Sequence, residues 1–423
     1  MRLRHQQRRG GPYAPRLPHG DGDGLSPVPP DQDLVRPAAS ASTRFVALDG
    51  LRGVAAVIVV AYHVVLGSAW GDAYLAALAG ARDSPTPVRL LADTPIRYLL
   101  MGPEAVVVFF VLSGFVLVFP MLQGRGLDLW SYYPRRVLRL WLPSAGAMAF
   151  AIIVILLGHQ KPETAPSEWA RAFSFSTLSP SQIVDSFFLI TGSTQVNNPL
   201  WSLRWELLFS LMLPVAFLAV ARIARGHWYW LIACGAVTAV GTVLGVQALI
   251  YGPMFLAGCV AAVMRSQGAA PRGKAAPWIL VLAGVLALGL PDVVRVGLPD
   301  LVPGGARGAL QGFVAIGAAL VVLGLSAPSG LARLLGTAPF RFLGRISFSL
   351  YLVHMPILLQ ALQLAPGTPH RALLISVPVA VLVAWLFARF VEEPSARLAR
   401  AVGRSASERV RAISRPSAEV QDR

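Results

Sequence analysis

The stretch TRFVALDGLRGVAAVIVVAYH, residues 43–63, changes from a charged segment into an apolar helix. Arg52 lies where that helix is expected to enter a membrane, and His63 follows eleven residues later. At a rise of about 1.5 Å per residue, the imidazole is predicted roughly 16 Å deeper, near the middle of a hydrocarbon layer about 30 Å thick. An ionisable side chain at that depth is energetically costly, so it indicates a functional site.

The composition of the 423-residue chain is that of a polytopic membrane protein. Hydrophobic residues make up 55% of the chain and charged residues 14%, whereas soluble domains carry about 25% charged residues. The formal net charge of +16 raises nucleic-acid binding as a class. However, the basic residues fall in short segments between apolar runs, and no basic patch interleaves with aromatic residues. We therefore expect the lipid bilayer as a partner, and no nucleic acid.

Metal and disulfide chemistry are not expected. The two cysteines, Cys234 and Cys259, lie in apolar runs, where a cysteine behaves as a small hydrophobic residue. The sequence contains no disulfide framework, zinc-ligand spacing or haem motif. The site predicted below therefore uses no metal.

Three parts of the chain differ in composition. Residues 1–42 are rich in Arg, Pro, Gly and Asp and predict a disordered basic tail, residues 43–398 predict a transmembrane domain, and residues 399–423 predict a disordered C-terminal tail. An apolar piece at 183–192 is too short to cross a bilayer and is expected to be re-entrant or interfacial. The predicted fold is all-α and polytopic, with about ten transmembrane helices at 53–70, 103–122, 138–158, 200–221, 228–246, 249–264, 277–290, 309–326, 346–364 and 372–390.

The distribution of arginine and lysine predicts the orientation in the membrane. With the N-terminus inside, the inner segments carry 28 of these residues and the outer segments carry 8. Because cytoplasmic loops are enriched in basic residues, both termini are expected in the cytoplasm. The predicted location is the cytoplasmic (inner) membrane.

Ionisable side chains are few within the predicted spans. Such groups face the bundle interior or a water-filled cavity and find partners there. A single one can be structural, because it can hydrogen-bond a neighbouring helix. Several together, with an arginine cluster at the cytoplasmic edge, favour a functional site. The main ones are His63, Glu104, Arg204, Glu206 and His354.

The arginine cluster comprises Arg135, Arg136 and Arg139, at the cytoplasmic edge of the third span. Positive-inside anchoring accounts for one or two of them. Three arginines within five residues, on the same side of the membrane as Arg52, can instead bind phosphates through forked hydrogen bonds. The hypothesis we favour is a phosphate-bearing donor that docks from the cytoplasm.

The fourth span opens from the outer side with a polar and aromatic rim. Asn198, Trp201 and Ser202 suit a sugar-like acceptor with hydroxyl groups, although an interfacial aromatic belt explains the same pattern. Glu206 is expected roughly 9 Å inside that boundary.

Two other motifs have two interpretations each. His354 either lines the cavity or satisfies backbone groups freed by Pro356. Ser113 and Gly114 are typical of close helix packing, and a serine nucleophile at Ser113 lacks the strand–elbow–helix setting of a hydrolase.

Six motifs follow one another between about Arg44 and Leu398. They are Arg52 followed by His63, FVLSGF at 110–115, RRVLRL at 135–140, LWSL at 200–203 with Glu206, SFSLYLVH at 347–354, and EEP at 392–394. Together they resemble the acyltransferase 3 family of integral membrane acyltransferases, which includes O-antigen acetylases and macrolide O-acyltransferases.

The resemblance implies a ten-helix fold that moves an acyl group from cytoplasmic acyl-coenzyme A, with acetyl-coenzyme A as the first candidate. The acceptor it implies is a hydroxyl of a glycan, glycolipid or secreted macrolide-like metabolite. Some members add a further span and a soluble esterase-like domain, which we do not expect here because the chain ends about thirty residues past its last predicted span. Residues implicated in activity in the family correspond to Arg52, His63, Arg135, Arg136 and Glu206.

The chemistry of the residues suggests a mechanism. With the donor phosphates on the arginine cluster, the thioester reaches towards His63, whose neutral imidazole accepts the proton of the attacking hydroxyl. Acyl transfer to His63 itself is a variant, and Glu206 either orients the acceptor or tunes the imidazole. The competing class is a transporter or flippase with a His/Glu proton relay, which no strong internal repeat supports.

We assign catalysis to His63, Arg52 and Glu206, donor binding to Arg135, Arg136 and Arg139, and acceptor binding to Asn198, Trp201, Ser202 and His354.

Overall fold

The computed structural model describes residues 45–413, apart from 125, 224, 299–301 and 303. The predicted N-terminal tail, 1–42, lies outside this part of the chain. The described residues form helices and no strands, which confirms the all-α fold class. The helices are α1 (Val46–Leu66), α2 (Gly71–Ala79), α3 (Thr86–Asp93), α4 (Gly102–Leu122), α5 (Leu129–Gly158), α6 (Glu168–Ala172), α7 (Pro180–Ser186), α8 (Leu200–Leu211), α9 (Leu213–Ala221), α10 (His227–Leu244), α11 (Gln247–Ser266), α12 (Ala276–Gly297), α13 (Gln311–Leu325), α14 (Gly330–Leu335), α15 (Ala338–Leu364), α16 (Pro369–Phe387) and α17 (Glu393–Ile413).

Nine helices of the described chain are long and apolar enough to cross a membrane. The pair α8 and α9 would make a tenth span, bent by 60° between Leu211 and Leu213. Pro214 follows this break, where its ring disfavours a continuous helix. The polytopic architecture predicted from the ten apolar runs is therefore confirmed.

The bundle has two ends that differ in what they carry. We call the end where α1 begins, and where α17 lies, the termini end. We call the opposite end the loop end, because it carries the two long connections at 67–101 and 159–199. Within 159–199, the piece expected to be re-entrant or interfacial holds only the end of α7 and a set of turns.

Helix α4 lies in the centre of the bundle because small residues let its backbone touch that of α11. A Cβ atom on Gly114 would lie 2.1 Å from the carbonyl oxygen of Phe255, and one on Gly258 would lie 1.9 Å from that of Val111. Such contacts drive helix association where apolar burial gives no advantage over lipid. The packing interpretation of Gly114 is therefore confirmed.

Helix α1 begins at Val46, seven residues before the predicted start of the span. Its first turns pack on α14 and α15, where a Cβ atom on Gly50 would lie 2.2 Å from the carbonyl oxygen of Leu335. His63 consequently lies in the last turn of α1, roughly 26 Å along the helix and close to the loop end. Its position is thus nearer the end of the helix than the predicted span boundaries implied, and its depth in the membrane stays a prediction.

The C-terminal segment also differs from the prediction. Residues 399–413, which we expected to be disordered, belong to α17, and the remaining residues of that predicted tail lie outside the described chain. The buried positions Ala399, Gly403 and Ser407 recur every fourth residue and face α5. Ser407 donates a hydrogen bond to Asp128 and thereby holds the pKa of that carboxyl below its ordinary value. Tertiary packing on α5, which composition does not reveal, supports this helix.

Candidate active site

Two cavities lie in the bundle on opposite sides of Tyr351. The arginine cavity, of about 240 Å³, lies towards the termini end, and the histidine cavity, of about 190 Å³, lies towards the loop end. The arginine cavity is lined by charged and polar groups that include Arg52, Arg136, Arg139, Glu206, Glu392, Ser113 and Ser202. The histidine cavity is lined by residues that include His63, Tyr62, Trp169, Asn198 and Trp201.

An ion pair occupies the middle of the arginine cavity. The Nη2 atom of Arg136 lies 2.7 Å from Oε1 of Glu206, and its Nε donates to Ser210 Oγ at 2.7 Å. The hydroxyl of Ser113 also donates to Glu206 Oε1, at 3.0 Å. Glu206 is therefore fixed by groups from α4 and α5, and it faces the arginine cavity.

A second carboxylate enters this cavity from a π-helical turn. The turn Ala388–Glu392 joins α16 to α17, and such single π turns are frequent at functional sites. Ser349 Oγ donates to Glu392 Oε2 at 2.6 Å, and Arg52 and Arg139 line the same cavity. Three guanidinium groups and two carboxylates thus face one another in a space large enough for an extended ligand arm.

His63 and His354 form a hydrogen-bonded pair of imidazoles. His63 Nδ1 lies 2.9 Å from His354 Nε2, and His354 Nδ1 lies 3.0 Å from the carbonyl oxygen of Leu350. Because a carbonyl only accepts, His354 Nδ1 carries hydrogen, and its Nε2 is the acceptor when the ring is neutral. His63 Nδ1 must then carry hydrogen, which leaves the lone pair of neutral His63 on Nε2.

The backbone group freed by Pro356 is satisfied by another residue. Pro356 has no N–H, so the carbonyl of Leu352, four residues earlier, loses its helical donor. Asn197 Nδ2 donates to that carbonyl at 3.0 Å. Of the two interpretations of His354, the one that has it satisfy this backbone group is therefore wrong. His354 instead contacts His63, and it is not among the described residues that line the histidine cavity with Asn198 and Trp201.

Aromatic rings surround the imidazole of His63. The indole of Trp169 lies with its centroid 5.2 Å from that of His63 and its plane inclined by only 20°. Trp201 and Asn198, two residues of the predicted rim, line the same cavity. The third, Ser202, lies on the arginine side.

Tyr351 separates the two cavities and lines both. Its hydroxyl lies 2.7 Å from Ser202 Oγ, and its ring lies three residues, about one turn, before His354 on α15. The two cavities therefore meet at this tyrosine side chain.

The structure brings the predicted residues together in two groups. Arg52, Arg136, Arg139 and Glu206 share one cavity, whereas Arg135 lines a smaller cavity beside it. Glu104 lies elsewhere, in a buried ion pair with Arg97. Sequence reasoning did not single out Tyr351, Glu392 or Trp169 as site residues. The first two lie in quoted motifs, while no pattern marks Trp169.

The comparison with known families defines the class of this protein. A family model described as an acyltransferase domain, acyltransferase 3, matches residues 45–389. The chain therefore belongs to the acyltransferase 3 family, and its described residues include nine helices long and apolar enough to cross a membrane. The resemblance drawn from the six motifs is confirmed.

A curated relative has a weaker likeness. The chain is 26% identical over 377 residues to a protein named peptidoglycan O-acetyltransferase OatA from Listeria monocytogenes. The match covers 82% of this chain and 55% of that relative, so the chain spans about half of its length. No solved structure matches the chain.

Proposed function

We propose that this protein is a membrane O-acyltransferase that moves an acyl group, with acetyl as the first candidate, from acyl-coenzyme A to a hydroxyl acceptor. The observation that carries the proposal is the meeting of an arginine cavity and a histidine cavity at Tyr351. One cavity suits an anionic donor, and the other holds a base. The family membership supports acyl transfer, and the similarity to a protein named peptidoglycan O-acetyltransferase supports a hydroxyl acceptor.

The donor enters the arginine cavity from the termini end, which we propose is cytoplasmic. Guanidinium groups bind phosphate oxygens through paired hydrogen bonds, and Arg52 and Arg139 are available to an extended ligand. The cavity follows α4 from Phe109 to Leu117, roughly 12 Å at helical rise. The thioester then comes to rest beside Tyr351, at the end of the cavity nearest His63.

His63 acts as the general base of the transfer. Its Nε2 lone pair accepts the proton of the acceptor hydroxyl while the hydroxyl oxygen attacks the thioester carbonyl carbon. The C–S bond breaks as the ester forms, and the proton passes from Nε2 to the departing thiolate. The products are an O-acyl ester and the free thiol of coenzyme A.

The acceptor occupies the histidine cavity from the loop end. The indoles of Trp169 and Trp201 offer apolar faces, and the Asn198 amide offers both a donor and an acceptor of hydrogen bonds. This combination suits a hydroxyl-rich glycan, glycolipid or secreted metabolite. The location we propose is the cytoplasmic membrane, between the acyl-coenzyme A pool and an acceptor outside.

The contacts of Glu206 argue against the competing transporter function. A proton relay requires communication between histidine and glutamate, but Glu206 contacts Arg136 and Ser113, and the imidazole partner of His63 is His354. We therefore give Glu206 a role in ordering Arg136, a donor-binding residue.

Replacing His63 tests the catalytic role. In purified protein, His63→Ala should lower release of thiol from acetyl-coenzyme A by about 10²- to 10⁴-fold, the usual worth of a general base. Binding of coenzyme A, measured by calorimetry, should stay within about twofold, because the arginine cavity is separate. Mass spectrometry of envelope glycans and secreted metabolites from cells with each variant identifies the acceptor. Acyl transfer by His63→Ala at the normal rate would contradict the mechanism.

A further inference from the structure

A third cavity lies beside the arginine cavity at the termini end, and four arginines line it. It measures about 140 Å³, and its lining includes Arg135, Arg136 and Arg139 from α5 and Arg400 from α17. No carboxylate occurs among the described residues that line it. We call it the α17 cavity.

Two of these arginines can bind an anionic ligand. Arg136 is engaged by Glu206, whereas Arg135 and Arg400 are exposed and pair with no carboxylate of the described chain. Like charges in one small space repel, and an anion that enters this space relieves the repulsion. The ligand that this cavity suits is therefore anionic.

The docking of α17 fixes Arg400 over the cavity. Gly403, one turn after Arg400, lies so close to α5 that a Cβ atom there would be 2.7 Å from the Ser131 carbonyl oxygen and 3.2 Å from Arg135 Cβ. Arg411 adds an ion pair to Asp128 at 3.5 Å. Helix α17 begins at Glu393, beyond the matched family domain of 45–389, so Arg400 is a contribution of this chain outside that domain.

The α17 cavity adjoins the arginine cavity. Leu117, Arg136 and Arg139 line both, and Leu117 lies roughly 12 Å along α4 from Phe109, whose ring contacts that of Tyr351. A donor with its thioester at Tyr351 and its arm along α4 therefore carries its phosphate-bearing end past Leu117 and towards the α17 cavity. The far end of coenzyme A carries its adenosine and a 3′-phosphate.

We propose that the α17 cavity binds the 3′-phosphate of the acyl-coenzyme A donor, with Arg400 and Arg135 as its ligands. This inference rests on the proposed function, because it names the donor. A phosphate monoester carries a charge of about −1.5 to −2 at pH 7, whereas each phosphate of the diphosphate has a single ionised oxygen. It is therefore the donor group that gains most from two arginines without carboxylate partners.

The test compares coenzyme A with dephospho-coenzyme A, which lacks only the 3′-phosphate. Binding to full-length protein in phosphatidylcholine nanodiscs is measured by calorimetry. The wild type should bind coenzyme A roughly 10- to 100-fold more tightly, as expected for charge-assisted hydrogen bonds. Arg400→Gln should abolish this preference and leave the affinity for dephospho-coenzyme A unchanged. Arg135→Gln should also abolish the preference for coenzyme A over dephospho-coenzyme A.

Arg409→Gln is the matched control. Nine residues separate it from Arg400, which is two and a half helical turns, so it lies on the opposite face of α17. Arg409→Gln should keep the full preference for coenzyme A over dephospho-coenzyme A. Thermal unfolding of all variants at the wild-type temperature excludes misfolding as the cause.

Three outcomes overturn the inference. If wild type prefers coenzyme A and Arg400→Gln keeps that preference, coenzyme A remains the proposed donor and the 3′-phosphate site is wrong. If wild type binds neither ligand, the proposed donor is wrong and the inference falls with it. If Arg400→Gln changes the preference for coenzyme A only in nanodiscs that contain phosphatidylglycerol, the cavity binds lipid headgroups instead.

Discussion

The direction of the His63 lone pair depends on its hydrogen bond with His354. His354 accepts from His63 Nδ1 at 2.9 Å, and the Leu350 carbonyl holds His354 in the tautomer that can accept. The lone pair of His63 is thereby directed to Nε2. Protonation of Nε2 strengthens the same hydrogen bond, because the imidazolium is a better donor. We therefore propose that His354 is a positioning residue that acts through His63.

Replacing His354 should therefore lower turnover and leave donor binding intact. His354→Ala frees the His63 ring to turn and to change tautomer, and misplacement of a reacting group by about 1 Å can cost 10²-fold. We expect kcat to fall by about that factor, with the KM for acetyl-coenzyme A within about twofold. Steady-state kinetics of the purified variant check this.

Two variants separate positioning from simple damage. In His354→Gln the side-chain oxygen can still accept from His63, so part of the lost rate should return. The double variant His63→Ala/His354→Ala should be no slower than His63→Ala alone, because coupled residues are not additive. A further tenfold loss in the double variant would mean that His354 acts independently of His63.

At this scale the sequence indicates residue types but not their partners. Arg52, His63 and Glu206 stand out because ionisable residues are rare in apolar spans. Which of them meet depends on helices far apart in the chain, and Glu206 on α8 meets Arg136 on α5 and not His63. The pair of His63 and His354, 291 residues apart, has no local signal either.

Among the helices, α17 shows how packing overrides composition. Its sequence is rich in arginine and polar residues, which predicts disorder, yet Ala399, Gly403 and Ser407 give it a narrow face that fits α5. Helix α5 begins at Leu129 for a different, local reason: the Asp128 side chain accepts hydrogen bonds from the N–H groups of Trp130 and Ser131. An apolar-run search detects neither feature.

A side chain at Gly403 should detach α17. Gly403→Leu would force atoms into the Ser131 carbonyl and the Arg135 side chain, and overpacking of this kind costs about 1–3 kcal/mol. Because the helix end is free to move away, we expect local release rather than global unfolding. Trypsin cleavage between Arg397 and Arg411 should become faster by about tenfold or more.

The matched control for this substitution is Ala401→Leu, which adds the same side chain at an exposed position of α17. It should leave the cleavage rate unchanged. If trypsin cleaved Gly403→Leu and Ala401→Leu at the same rate, α17 would not be held by its contact with α5.

For the whole molecule, the proposed mechanism requires the two ends of the bundle to face different compartments. If the donor enters at the termini end and the acceptor at the loop end, the termini end faces the cytoplasm. The predicted excess of arginine and lysine, 28 against 8, agrees with that orientation. The number and order of the spans could be predicted from apolar runs, because each helix must satisfy its own backbone in lipid.

Cysteine accessibility in cells tests this orientation. In a background where the buried Cys234 and Cys259 are replaced by Ala, Glu163→Cys at the loop end should react with a membrane-impermeant maleimide in intact cells. Ser405→Cys on α17 should react only after permeabilisation, and both positions are exposed in the structure. Labelling of Ser405→Cys in intact cells would put the arginine and α17 cavities outside, away from any cytoplasmic acyl-coenzyme A. The donor and the direction of transfer would then both have to be rejected, even if His63 proved essential.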